Sequence, residues 1–350
     1  MSRRVTTLVV ASVLALVLAV GGAVMRVPYV ALGPGPVTDT LGKRSDGVAL
    51  IMITGRQTYP TSGHLDLTTV SVAGGPPDPI NLATALRGWL DRSVAVVPQE
   101  LVYPPQESSK EIEQQNTQDM LDSQQSATTA ALRALSIPVG TSVAVRSVAK
   151  GKPADGRLKP EDVIRSVDGT AVTSTDELRK LISRCPPGSS LRLQVTRAGK
   201  PLTVELTTVG DPADGNRSVI GIEPMLRHVY PFKVSFGLRD VGGPSAGLMF
   251  ALGIIDKLTP GPLTGGKFVA GTGEISDDGT VGPIGGIQQK IVAARRAGAT
   301  IFLTPAANCA AASRNRPAGL QLVKVTKLAD ALSSLKVLSA AAAGAGVPVC

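Results

Sequence analysis

The sequence predicts an α+β protein: an N-terminal transmembrane helix, then a small β-rich module with one helix, then a C-terminal mixed domain. Three observations lead there. Val5 to Met25 is a run of 21 residues without a charge, close to the ~20 a helix needs to cross a bilayer core. Short alternating segments punctuated by Gly and Pro fill the middle of the chain, and near its end two segments of helical period follow glycine-rich turns. The 350 residues suit about two compact domains at ~100 to 200 residues each.

Arg3 and Arg4 precede the apolar run and a single Arg26 follows it. The positive-inside tendency therefore leaves residues 1–4 as a cytoplasmic tip, 5–25 as a single-pass anchor in the cell membrane, and the bulk of the chain extracytoplasmic. The competing reading is a cleaved signal peptide, with small residues at Gly22-Ala23-Val24. The run is longer than the ~7 to 15 apolar residues of such a segment, so the anchor is the better fit.

Residues 26–124 form the extracytoplasmic N-terminal region. Ala49–Thr54 and Leu65–Val72 read as strands around the turn residues Tyr59-Pro60-Thr61-Ser62-Gly63, a hairpin-like pair. Asn81–Leu90 reads as a short helix. Ser108 with Glu111 is a capping box opening a polar helix to about Leu135, whose Gln and Ser content marks a solvated face. The strands of this region are expected to complete the last domain, with the β-rich module inserted between.

Within 125–212 the reading is a strand at Thr141–Val148, a short strand at Asp162–Ile164, a helix at Thr175–Ser183 and a hairpin of Leu191–Val195 with Leu202–Leu206 around Ala198-Gly199. Pro153-Ala154-Asp155-Gly156-Arg157-Leu158, Glu161-Asp162-Val163-Ile164, Val167-Asp168-Gly169 and Pro187-Gly188 resemble the bacterial PDZ domain. That resemblance implies a peptide added as a strand to an exposed sheet edge, its carboxylate held by backbone amides. The matching loop is Ile137-Pro138-Val139-Gly140, so Val139 and Gly140 are the expected peptide-binding positions, although Pro138 removes one donor.

Residues 216–340 hold the chemistry, with 341–350 as a tail. After an alternating strand at Phe232–Phe236 comes Gly243-Pro244-Ser245-Ala246-Gly247, a serine with almost no bulk beside it, placed where an apolar helix starts. A helix amino end offers unpaired amides and a positive dipole end to a nearby oxyanion. Taken alone, such a serine is more often a plain helix cap. Lys290, 45 positions on, falls in the first turn of the helical segment Ile287–Ala297. Burial and the positive helix end both disfavour its ammonium form, which would fit the amine to take a proton from a hydroxyl.

Ser245 in GPSAG, Gly271-Thr272-Gly273-Glu274-Ile275, Gly279-Thr280-Val281-Gly282-Pro283-Ile284-Gly285-Gly286-Ile287-Gln288-Gln289-Lys290 and Phe302-Leu303-Thr304-Pro305 resemble the proteolytic domain of the Lon protease family. With the anchor and the PDZ-like module, the chain resembles the bacterial membrane-anchored PDZ and Lon-type proteases of the YlbL kind. The resemblance implies Ser245 as nucleophile, Lys290 as general base, Thr272 as the residue orienting the lysine, and backbone amides at Gly243 and Ser245 as an oxyanion hole. It also allows a ring-like homo-oligomer.

Other chemistries fit less well. Gly261–Lys267 has the GxxxxGK spacing, but Phe268 stands where a P-loop needs Ser or Thr, so no ATP and no other cofactor is expected. Without a motor, the substrate class is unfolded or flexible polypeptide. A serine-histidine-aspartate arrangement would have to recruit His64, since His228 reads as a strand-edge residue and only these two histidines exist. Asp277-Asp278-Gly279 is an ordinary turn, and no metal site is expected. Aromatics at 3% and a net charge of +9 scattered among 27 acids argue against nucleic acid. Of the three cysteines, Cys309 and Cys350 are the disulfide candidates, which would tie down the tail in an oxidising compartment. The alternative function is a non-catalytic PDZ scaffold or a holdase that keeps a protease-like fold.

Overall fold

The computed structural model describes residues 3–44, 46–212, 214, 215, 217–238, 241–340 and 346–350. Residues 1 and 2 of the expected cytoplasmic tip, position 216 and tail residues 341–345 lie outside the described residues. The chain divides into two compact units, one of residues 1–137 with 232–350, the other of 138–231.

The first unit opens with the helix Arg3–Val24, long and apolar enough to cross a membrane by length and composition, a test that a signal sequence also passes. Its main sheet has six strands in the order Gln321–Val325, Ile301–Pro305, Phe268–Gly271, His64–Ala73, Tyr29–Asp39 and Ala95–Pro98. The first four run parallel and Tyr29–Asp39 is antiparallel to both its neighbours. The hairpin expected from 49–54 and 65–72 does not form. Ile51–Thr54 instead pairs with Lys233–Phe236, while His64–Ala73 lies between Tyr29–Asp39 and Phe268–Gly271. Both partners of the second strand hide apolar surface, and Leu65 and Leu67 are fully buried there, which a two-stranded ribbon could not achieve.

The helix Ser109–Ala134 starts at the capping box, with Ser108 Oγ accepting from the Glu111 amide and Glu111 Oε2 accepting from the Ser108 amide. Its first half is solvated as expected, whereas Ala127 to Leu132 are buried. Met120, Ala127, Ala130 and Ala131 share one core with Leu248 to Leu252 of the helix Gly247–Leu258 and with Leu65 and Leu67. The helix is continuous through position 125, so the start expected for the β-rich module lies inside an element of the first unit.

The second unit is a five-stranded antiparallel path, Ile222–Val229, Gly140–Val148, Val163–Val167, Ser190–Arg197 and Lys200–Thr207, with the short strand Thr170–Ala171 on the third. The helix Thr175–Arg184 covers its core of Val143, Val145, Ile164, Leu178, Leu191 and Leu193. Its hairpin turns at Ala198 and Gly199, both at positive φ (48° and 81°), the geometry a two-residue I′ turn needs to match strand twist. Ile222–Val229 belongs here and not to the last domain, which resumes at Phe232.

Cys309 and Cys350 form a disulfide. The last residues add to the sheet margin, the Lys324 amide donating to the Pro348 carbonyl (2.9 Å) and the Cys350 amide to that of Leu322 (3.3 Å).

Candidate active site

Ser245 lies in the turn between Lys233–Phe236 and the helix Gly247–Leu258, two residues before the first helical position rather than on it. Ala246 is its cap residue. The turn can pack this closely because position 247 has no side chain: a Cβ there would meet Ile275 Cγ2 at 2.7 Å and Ser123 Oγ at 2.9 Å. Gly243 sits at φ +82°, which a non-glycine residue adopts only at a cost.

Lys290 is in the first turn of the helix Ile287–Ala297, which begins after Gly286 at φ +67°. A Cβ at 286 would lie 2.5 Å from Val70 Cγ2 on the neighbouring strand, so only glycine lets the helix start against the sheet. The preceding loop is held by Asn308, whose Oδ1 accepts from the Ile284 amide and whose Nδ2 donates to the Ile284 carbonyl, both at 2.9 Å. Thr272 follows the strand Phe268–Gly271, its amide donating to the Leu303 carbonyl at 3.3 Å.

These three elements bring the reactive groups together. Lys290 Nζ is 2.7 Å from Ser245 Oγ and 3.0 Å from Thr272 Oγ1. Thr272 Oγ1 donates in turn to the Ser245 carbonyl at 3.0 Å, which also accepts from the Gly273 amide at 2.9 Å. Threonine thus touches both ends of the pair and fixes the serine backbone. The lysine is 3% exposed, Thr272 is buried and Ser245 half-buried. Burial pulls the Lys290 amine down from 10.5 to about 8, against the opposing pull of Glu274. An amine so placed is neutral in about a tenth of molecules at pH 7, far more than for a lysine at 10.5, and can then accept the hydroxyl proton.

One expected feature is different. The Gly243 amide donates to the Asn116 carbonyl of the long helix at 2.8 Å, so in this conformation it cannot serve an oxyanion. Among the described residues the Ser245 amide donates to no backbone carbonyl. Asn116 was not legible as a neighbour, since it lies in the polar half of a helix with no motif of its own.

His64 is elsewhere, between Asp39 and Asp66 at the far end of the strand that leads toward Thr272. Gly261–Lys267 runs from the helix Gly247–Leu258 into the strand Phe268–Gly271, and Lys267 Nζ donates to the Leu338 carbonyl. This is the reverse of the strand, loop, helix order of a phosphate cradle. In the second unit, Gly140 is paired with Val229, and the strand Gly140–Val148 has Ile222–Val229 on one side and Val163–Val167 on the other. The edge expected to receive a peptide at Val139 and Gly140 is therefore taken by the chain's own strand.

A buried lysine on a serine hydroxyl, steadied by a threonine, has the geometry of a serine-lysine dyad. Residues 233–335 match the Lon protease (S16) C-terminal proteolytic domain, and residues 113–208 match the PDZ domain. The chain carries a PDZ domain and a Lon-type proteolytic domain. Among curated relatives, a Lon protease of Azorhizobium caulinodans is 34% identical over 184 residues, covering 51% of this chain and 21% of that protein. A Lon protease of Koribacter versatilis is 26% identical over 290 residues, 71% of this chain and 35% of that protein. The chain thus spans only about a fifth to a third of the length of these relatives. The crystal structure of the PDZ domain of an SdrC-like protein from Listeria monocytogenes aligns with a TM-score of 0.23 and 25% identity, over 24% of this chain and 87% of that one.

Proposed function

We propose that this protein is a membrane-tethered, ATP-independent endopeptidase that cleaves unfolded or flexible polypeptides outside the cytoplasm. The observation that carries the reading is the 2.7 Å contact between Lys290 Nζ and Ser245 Oγ with the amine out of water. In the proposed reaction the neutral amine takes the hydroxyl proton as Oγ attacks the scissile carbonyl carbon. The Ser245 amide faces the developing oxyanion, and the lysine returns the proton to the leaving amine. Water then repeats the sequence on the acyl-serine, regenerating the hydroxyl. Thr272 keeps the amine aimed at Ser245 through both steps. Small neighbours on either side of the serine suit an extended backbone.

The tether rests on the apolar helix Arg3–Val24 with arginines on its amino side, and ATP independence on the helix, loop, strand order around Gly261–Lys267. With its peptide edge paired to Ile222–Val229, the PDZ domain is assigned to regulation in preference to capture of carboxyl termini at that edge. The test is cleavage of an unfolded protein by the full-length chain in detergent, with and without ATP, beside Ser245→Ala and Lys290→Ala. Parent activity that needs no nucleotide and is lost in both variants supports the reading. Equal rates in all three, or an absolute need for ATP, overturns it.

A further inference from the structure

Asp39, His64 and Asp66 form a cluster that the proteolytic mechanism does not use. Each offers one ligand atom, and these atoms all lie within 4.8 Å of one another. The sheet register makes the cluster. Asp39 is the direct cross-strand partner of Asp66 in the antiparallel pair, and His64, two residues before Asp66, projects on the same face. Two carboxylates placed directly opposite each other repel, so the arrangement calls for a positive charge between them.

The buried member supplies a second, independent sign. Asp66 is 5% exposed, and its Oδ1 accepts no hydrogen bond, a costly condition for a carboxylate oxygen. That oxygen faces the cluster, 3.7 Å from His64 Nδ1, and Asp39 Oδ2 is also 3.7 Å from the same nitrogen. Tetrahedral ligands held at about 2.1 Å from a metal lie about 3.4 Å apart, so both contacts need to close by only a few tenths of an ångström. The outer groups are already fixed. Asp39 Oδ1 accepts from the Leu41 and Leu65 amides at 3.0 and 3.3 Å, and the His64 ring stacks on Phe268 with centroids 4.4 Å apart. Such supports orient metal ligands. The imidazole is about half exposed, which leaves a path for an ion and room for water as a further ligand.

The geometry points to a divalent-cation site formed by Asp39, His64 and Asp66, with one imidazole nitrogen and two carboxylate oxygens suited to a borderline ion of the Zn2+ class. The site is structural. His64 and Thr272 flank opposite ends of the paired strand Phe268–Gly271, about 13 Å apart at ~3.3 Å per residue. An ion there would pin Tyr29–Asp39 to His64–Ala73, the strand whose Thr68 hydroxyl donates to the Gly271 carbonyl beside Thr272 at 3.1 Å. Nothing in the linear sequence marks the cluster, because Asp39 lies 25 residues from His64 and meets it only through strand pairing. The proposal departs from the expectation of no metal site.

The experiment is calorimetric titration of the full-length chain with Zn2+, in detergent, without a polyhistidine tag and after removal of metal with a chelator. Parallel titrations use His64→Ala, Asp39→Asn and Asp66→Asn, and Cys185→Ser as a control for the free thiol of the other unit. The parent and Cys185→Ser are expected to bind one ion per chain, and His64→Ala to bind more than about tenfold more weakly. His64 is half exposed, so its alanine variant folds even if the buried Asp66 variant does not, and circular dichroism verifies this. No saturable binding by the parent, or equal affinity in His64→Ala, overturns the site. Proteolysis by the parent is scored separately, so a failure of the metal site and a failure of the peptidase reading are distinguishable.

Discussion

Ser123 Oγ donates to the Pro244 carbonyl at 2.8 Å, linking the long helix Ser109–Ala134 to the residue just before the serine of the site. Seven residues earlier on the same helix, the Asn116 carbonyl accepts the Gly243 amide at 2.8 Å. Two turns of one helix therefore hold the two residues that precede Ser245. This fixes where the hydroxyl sits relative to Lys290, and it also decides which amides remain free.

Removing the first of these contacts is expected to loosen the turn without touching the proton-transfer pair. One neutral hydrogen bond is worth about 1 kcal/mol, or about a fivefold change in rate if it acts wholly on the transition state. Ser123→Ala should lower kcat by several-fold with KM little changed, and Ser123→Thr should recover part of the loss. The pH at which activity rises should stay where it is in the parent, because Lys290 keeps its surroundings. Steady-state kinetics across pH checks all three, and a displaced pH profile would mean that Ser123 acts on the lysine instead.

Activity itself should rise with pH. The working form of Lys290 is the free amine, and burial brings its pKa from 10.5 to about 8. For the free enzyme, kcat/KM should therefore climb about tenfold per pH unit below pH 8 and level off above it. Removing the threonine contact by Thr272→Val should lower the plateau, because the amine loses one of the two hydroxyls that aim it. A profile flat from pH 6 to pH 9 would exclude a titrating base of this kind.

The same burial costs stability. A lysine that is charged in the unfolded chain and has its pKa lowered on folding penalises the native state fully below its folded value. The penalty fades as pH rises from about 8 to 10.5. At ~1.36 kcal/mol per pKa unit the penalty near neutral pH is about 3 kcal/mol. Lys290→Met, which fills similar volume without charge, should accordingly be inactive yet more stable than the parent at pH 7, by up to about 3 kcal/mol, with the difference shrinking toward pH 10. Thermal or denaturant unfolding at the two pH values measures it. A variant less stable than the parent at pH 7 would show that the contacts of Lys290 with Ser245 and Thr272 outweigh its desolvation.

The parts of this design legible in the sequence were local ones. The capping box at Ser108 and Glu111, the hairpin at Ala198-Gly199 and the lysine in the first turn of its helix each follow from residues within one turn of each other. What escaped was non-local or disguised. The strand Tyr29–Asp39 contains Gly33-Pro34-Gly35-Pro36, which reads as loop. It remains a strand because the register shifts between Pro34 and Val37, and because Gly35 has no Cβ to meet Thr69 Oγ1 at 2.4 Å. The partner of Ile51–Thr54 lies beyond an inserted unit, at Lys233–Phe236, and no periodicity encodes such a pairing. The use of the Gly243 amide by Asn116 is likewise a matter of packing between distant segments.

The pairing of Gly140–Val148 with Ile222–Val229 leads to the last prediction. Peptide capture by strand addition needs an unpaired edge, and here eight residues, from Ile222 to Val229, run in antiparallel register along that edge. An apolar peptide with a free carboxyl terminus should therefore bind the full-length parent no more tightly than about 1 mM. Releasing the covering strand should create the site. In an antiparallel ladder alternate amides point inward, so the double substitution Leu226→Pro with Arg227→Pro removes a ladder donor whichever of the two faces the neighbouring strand. Fluorescence anisotropy with a labelled peptide should show saturable binding in the double variant and none in the parent. Because Pro138 leaves the loop before Gly140 one donor short, the gain should depend more on the peptide's strand length than on its terminal carboxylate, and amidating that terminus should cost little. Tight binding by the parent would mean that Ile222–Val229 yields readily to an incoming chain and that the domain captures peptide after all.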